Sequence, residues 1–149
     1  MNEAELTHYI TRTFDRVSVT EDSGNRFFFW GPDLRMPFAT LVTNDAYDRA
    51  SALDRPGVFR LNLGVRRQTY RSLFGPQPKA AGPDGVVDTG YDYTALDRLM
   101  PHPVYAPMSW VCVLNPGPAT FEVLRPLLAE ACDLAARRAA RRADRTGQR

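Results

Sequence analysis

Eight residues restrict the fold of this chain more than any others: "VFRLNLGV", residues 58–65. Phe59, Leu61, Leu63 and Val65 fall on one side of an extended backbone, and Arg60, Asn62 and Gly64 on the other. A strict period of two marks a half-buried strand, and such a strand needs a sheet with one covered face and one polar face. Neighbouring stretches supply that sheet. "VSVTED" and "RFFFWGPD" flank Ser23-Gly24-Asn25, a hairpin signal. "PFATLVTND" reads as a third strand and "SWVCVL" as the last. Strands joined by tight turns pair antiparallel.

Helices bracket the strands. Asn2 caps a helix over 3–14, with Glu5 completing a capping box and Leu6, Tyr9, Ile10 and Phe14 at helical spacing. "RRQTYRSLF" puts Tyr70, Leu73 and Phe74 on one helical face. "DAYDRASALDRPG" has no clean period, with room for a short helix ended by Pro56-Gly57, and "YTALDRLM" reads as another short helix. Thr120 is the expected cap of a final helix whose stripe runs through Phe121, Leu124, Leu127, Leu128, Ala131 and Leu134, with Pro126 as a kink point. Beyond Ala136 no apolar residue larger than Ala remains, so fraying is expected there.

The element order predicts an α+β fold: a twisted antiparallel sheet with the N-terminal and C-terminal helices packed on one face. Its 149 residues suit one domain over 1–136, with a flexible loop at 75–90 that could serve as a lid, and an Arg-rich tail over 137–149. The start, "MNEAELTHYITRTF", is amphipathic and unlike a secretory signal, and no apolar run approaches the roughly 20 residues of a membrane helix. A cytoplasmic protein without a membrane partner is expected. Cys112 and Cys132 lie on apolar-rich segments and read as buried thiols; without a CxxC or paired-His spacing, no metal and no cofactor are expected.

Three places could carry chemistry. The first is the strand-to-helix junction "NLGVRRQTYR". Arg66 and Arg67 oppose the dipole at the start of a helix, which costs about 0.3–1 kcal/mol per unpaired charge. With free backbone N–H groups they could bind an anion; alternatively, they splay into solvent or pair with Asp or Glu. The second is the polar face of 58–65. There Arg60 offers a donor fork and Asn62 both donates and accepts, so together they could hold a carboxylate or amide, unless the face is simply solvated. The third is "MPHPVYAPMSWVCVLNPGPAT", which holds five of the chain's twelve prolines. They make it rigid, so His102, Tyr105 and Trp110 read as a braced crossover first and a site wall second. If the chain catalyses a reaction, His102 is the candidate acid/base, with Tyr105 lending its hydroxyl. His102 has no identifiable partner in the sequence, and a structural histidine is the competing reading. Carboxylates are plentiful at Asp45, Asp48, Asp54, Asp92 and Asp97, and read as caps and turn formers.

The stretch "SWVCVLNPGPATFEVLRPLLAEACDLAARR" resembles the YjbR-like (MmcQ-like) bacterial proteins: a late Trp-led strand, a Pro-containing turn and a terminal helix with an Ala-x-x-Leu-Ala ending at 131–135. "PFATLVTNDAYD", "LDRPGVFRLNLGV" and "LMPHPVYAPMSWVCVLNP" resemble landmarks of a narrower bacterial family spanning nearly the whole chain. The resemblance implies a frataxin-like (CyaY-like) fold. It also implies DNA binding through paired wings, or a small-molecule role in resistance or biosynthesis. A frataxin likeness would imply iron on an acidic first helix; here that helix offers only Glu3 and Glu5 against Arg12, so no iron is expected.

The favoured expectation is a small-molecule-binding protein, with an enzyme as one form of it. It would take a polar or anionic ligand on the open sheet face, held by Arg60 and Asn62 beside the His102, Tyr105 and Trp110 wall. A nucleic-acid module using Arg66, Arg67 and Arg71, or the C-terminal arginines, is the alternative, although a net charge of +2 gives little field. The third reading is a non-catalytic protein that forms a homodimer through a "FFFW" edge.

Overall fold

A computed structural model describes residues 1–80 and 85–147. Residues 81–84 of the expected flexible loop and the last two of the tail lie outside the described residues. Helix α1 (Glu3–Thr13) is capped by Asn2, whose side chain accepts from the Glu5 N–H at 2.8 Å. It leads into strands β1 (Val17–Asp22) and β2 (Asn25–Trp30). Ser23 and Gly24, both at positive φ, make the two-residue hairpin turn between them. Strands β3 (Ala39–Val42) and β4 (Arg60–Gly64), helix α2 (Arg67–Phe74), a short β5 (Met100–Pro101) and β6 (Trp110–Leu114) follow, and α3 (Pro118–Gly147) ends the chain. The sheet is antiparallel throughout, in the order β1-β2-β3-β4-β6-β5. This is the α+β fold expected from the element order. Among the described residues no helix is long and apolar enough to cross a membrane.

The alternation of β4 decides what each face does. Leu61 and Leu63 join Phe28, Leu41, Val111 and Val113 in a core closed by Leu6 and Ile10 of α1 and Phe121, Leu124 and Leu128 of α3. The opposite face was expected to be open, yet every residue of β4 is buried. Two long connections fold over part of it and seal a smaller core of Val42, Leu53, Tyr93, Met100, Cys112 and Leu114.

Neither connection is helical, although short helices were expected in both. Their aspartates take the backbone N–H groups that a helix would need. Asp45 accepts from Leu53 N–H at 2.8 Å, Asp48 from Ala50 N–H at 3.1 Å, and Asp92 from Thr94 N–H at 3.0 Å. The cap of α3 also differs. The helix starts at Pro118, so Thr120 sits inside its first turn, and Asp97 accepts the Gly117 N–H at 2.7 Å. Nor does α3 stop near Ala136: it runs to Gly147, supported by Arg137–Asp133 within the helix and by Arg142 reaching Asp33 at 3.1 Å. "FFFW" is not an edge, because β2 lies between β1 and β3.

Candidate functional site

Three adjacent strands contribute one row to the loop-covered face. Register places Thr40 of β3 opposite Asn62 of β4, and Gly64 opposite Trp110 of β6. Asn62 donates to Thr40 Oγ1 at 3.0 Å and accepts from Arg60 Nε at 2.8 Å. Arg60 then donates to both carboxylate oxygens of Asp48, at 3.1 and 2.7 Å, and to Ser51 Oγ at 2.9 Å. Its side chain is 1 % exposed and that of Asp48 10 %. Burial pushes the Asp48 carboxyl up, but the bonds and charge of Arg60 outweigh it and hold the carboxyl below its ordinary range. Arg60 was expected to anchor an anionic ligand. That role is filled by the chain's own Asp48, delivered by the connection between β3 and β4.

Beside this row lies a cavity of about 380 Å³. Arg60, Asn62, His102, Tyr105 and Trp110 all line it, so the polar strand face and the proline-braced segment do meet in one place. The other walls were not foreseen: Phe27 and Val42 from the strands, with Met36, Tyr47 and Met108 at the mouth. Tyr47 packs edge-on against Phe27, with ring centroids 6.0 Å apart. Met36, Tyr47, Tyr105 and Met108 are all large apolar or aromatic side chains left exposed, and they cluster on this rim. No local pattern marks Met36 or Tyr47, which come from irregular stretches, or Met108, which ends a three-residue 3-10 helix at Ala106–Met108.

His102 is buried, with its ring fixed by the turn it begins. Its Nδ1 accepts from the N–H groups of Val104 and Tyr105, at 3.0 and 2.9 Å. That lone pair is engaged, so the ring proton sits on Nε2. Among the described residues Nε2 has no hydrogen-bond partner, while no fully buried polar side-chain atom lacks one; Nε2 is therefore not fully buried, and His102 lines the cavity. Burial, then the Arg60 charge, keeps the imidazole pKa well below 6.5, with Asp48 opposing. His102, the expected acid/base, thus has its Nδ1 engaged by the turn and its Nε2 left without a partner among the described residues. Tyr105 stands beside it with ring centroids 5.1 Å apart, and Trp110 meets it edge-on at 6.4 Å.

Trp110 owes its seat to Gly64. A Cβ on Gly64 would lie 2.9 Å from indole atoms Cε2 and Nε1. Ser109, in the left-handed region at φ 69°, turns the chain into β6 and aims the indole across the sheet. Cys112 lies beneath, fully buried, its thiol pushed up to about 12 chiefly by that burial. Among the described residues no cluster of His, Cys, Asp or Glu suits a metal ion.

Arg66 and Arg67 stand apart from the basin. The N-terminus of α2 does bind a carboxylate, but it is that of Glu130 in α3. Glu130 accepts from Arg66 N–H and from Thr69 Oγ1, both at 2.8 Å. Arg66 also reaches Asp133 at 3.4 Å. The exposed Arg67 receives a bond to its carbonyl from Gln77, which also binds Arg71 and Ser109 and so pins one end of the 75–90 loop. A larger recess of about 710 Å³ lies between the last turns of α3 and the β1–β2 side of the sheet. Three of its four arginines are engaged nearby: Arg35 and Arg142 with Asp33, and Arg16 over Trp30.

A family model described as a family of unknown function, DUF6194, matches residues 1–144. No curated protein and no solved structure matches the chain.

Proposed function

The chain belongs to the DUF6194 family, and from the sheet-face basin we propose that it is a small-molecule-binding protein. The observation that carries this reading is His102, its ring fixed by two backbone bonds and its Nε2 unpartnered and not fully buried, in the wall of a cavity rimmed by exposed apolar side chains. Concave, mainly apolar sites with few fixed polar groups are what small ligands use. The floor suits an uncharged group, because Asp48 neutralises Arg60 in place. The best fit is therefore a flat aromatic or alicyclic body with an acceptor oxygen or nitrogen directed at His102 Nε2. Nδ1 is engaged by amides, which leaves this imidazole no free lone pair to take a proton; recognition suits it better than catalysis.

A nucleic-acid face finds less support. Arg66 and Arg137 both contact Asp133, and Arg142 contacts Asp33, so these charges are partly cancelled where phosphates would have to meet them.

The chain's four methionines allow a direct test. With methyl-labelled methionine, a screen of neutral aromatic heterocycles read by NMR should yield compounds that shift Met36 and Met108 together and leave Met1 in place. Hits that move Met1, or no methyl at all, would place binding elsewhere and end this reading.

A further inference from the structure

A second cavity, of about 330 Å³, shares Met36, Met108 and Trp110 with the basin, so these three residues form a common wall. Its far side is the C-terminal half of α3, and its chemistry is different. Arg138 and Arg142 line it against a single carboxylate, Asp33. Asp33 already accepts from the backbone N–H, Nε and Nη2 of Arg35 and pairs with Arg142 at 3.1 Å. Arg138 is half-buried in that wall and, among the described residues, makes no hydrogen bond or ion pair. Its own surroundings are cationic: burial first, then Arg141 and Arg142, lowers its pKa. A guanidinium partly removed from water, without a counter-charge and facing a cavity, is a place for an anion. The wall between the cavities is built partly from two methionines, whose unbranched thioether chains repack readily around a ligand.

We infer that the ligand of the basin is elongated and carries an anionic end, a carboxylate or a phosphate, which passes the Met36–Met108 wall and pairs with Arg138. This rests on the basin reading and adds to it the class of ligand: a flat apolar body with an acidic tail. Charge recognition thus sits not at Arg60, whose charge Asp48 already meets, but one cavity away on α3.

The test uses the full chain and three probe series. These are 1-naphthyl alkanoic acids with two to six methylenes, their methyl esters, and the matching naphthylalkyl phosphates. Affinities come from the Met36 and Met108 methyl shifts. The esters should bind with little dependence on chain length. At the length that reaches Arg138, the acid or the phosphate should bind about tenfold tighter than the ester, and added salt should erase the difference. Arg138→Gln should abolish this preference, whereas Arg137→Gln, at an exposed residue paired with Asp133, should keep it. If esters bind and no anionic probe gains, or if the gain survives Arg138→Gln, the inference fails while the basin stands. If neither esters nor anions move the two methyls, both readings fall together.

Discussion

Asp48 meets Arg60 with both carboxylate oxygens, at 3.1 and 2.7 Å from Nη1 and Nη2, on a sheet face that would otherwise bury a lone guanidinium. Removing one member should therefore do more harm than removing both. Asp48→Ala is expected to destabilise the fold by about 3–5 kcal/mol, because the Arg60 charge would remain buried and unpaired. The double variant Asp48→Leu with Arg60→Met should recover part of that loss. Urea unfolding of the wild type and the two variants measures it, and a double variant less stable than Asp48→Ala would contradict the argument.

The seat of Trp110 on Gly64 predicts a steric effect on the basin wall. Gly64→Ala places a methyl 2.9 Å from the indole, so the ring must move. A loss of about 1–3 kcal/mol is expected, with a shift in tryptophan emission. Unchanged emission and melting temperature would show that the indole does not rest there.

Acid should weaken the fold in two stages. An unfolded His102 takes up a proton near 6.5, whereas the folded one resists it, so the unfolded state gains protons first and stability falls as pH drops below about 6.5. Asp48 acts lower down: its folded pKa lies below 3.8, so its contribution is present above that value and is lost as pH falls through the folded pKa. His102→Asn keeps an acceptor for the Val104 and Tyr105 amides. It should flatten the first stage and leave the second. Unfolding free energies between pH 7 and 3 decide the point, and an equal slope in both proteins above pH 4.5 would assign the first stage to another group.

Glu130 acts as the anion at the start of α2, across 64 residues of sequence. Glu130→Ala should cost about 0.5–2 kcal/mol, in the range of a lost helix cap. Amide exchange over 66–70 should quicken, while the Met36 and Met108 methyls stay in place. Exchange unchanged at those amides would mean that the cap contributes nothing.

What could be read without tertiary contacts was much of what local periodicity and turn chemistry set. The alternation of 58–65 assigned Leu61 and Leu63 to one face and Arg60 and Asn62 to the other. Ser23-Gly24 marked the hairpin, and Asn2 with Glu5 the start of α1. These features depend on a few adjacent residues and their φ and ψ. The three prolines Pro101, Pro103 and Pro107 likewise marked a rigid segment, and His102, Tyr105 and Trp110 within it do line the cavity.

Tertiary structure alone decided which charges are free. Arg60 is met by Asp48 twelve residues away and the α2 terminus by Glu130, and neither pairing leaves a trace in local spacing. The same holds for what covers a strand. The polar row of β4 reads as a solvated face until two irregular connections fold over it, and those connections escape being helical because their aspartates capture backbone N–H groups. Whether a charge is available for a ligand depends on the nearest opposite charge in space. In this fold that charge comes from loops and from α3, which carry no periodic signal of where they will lie.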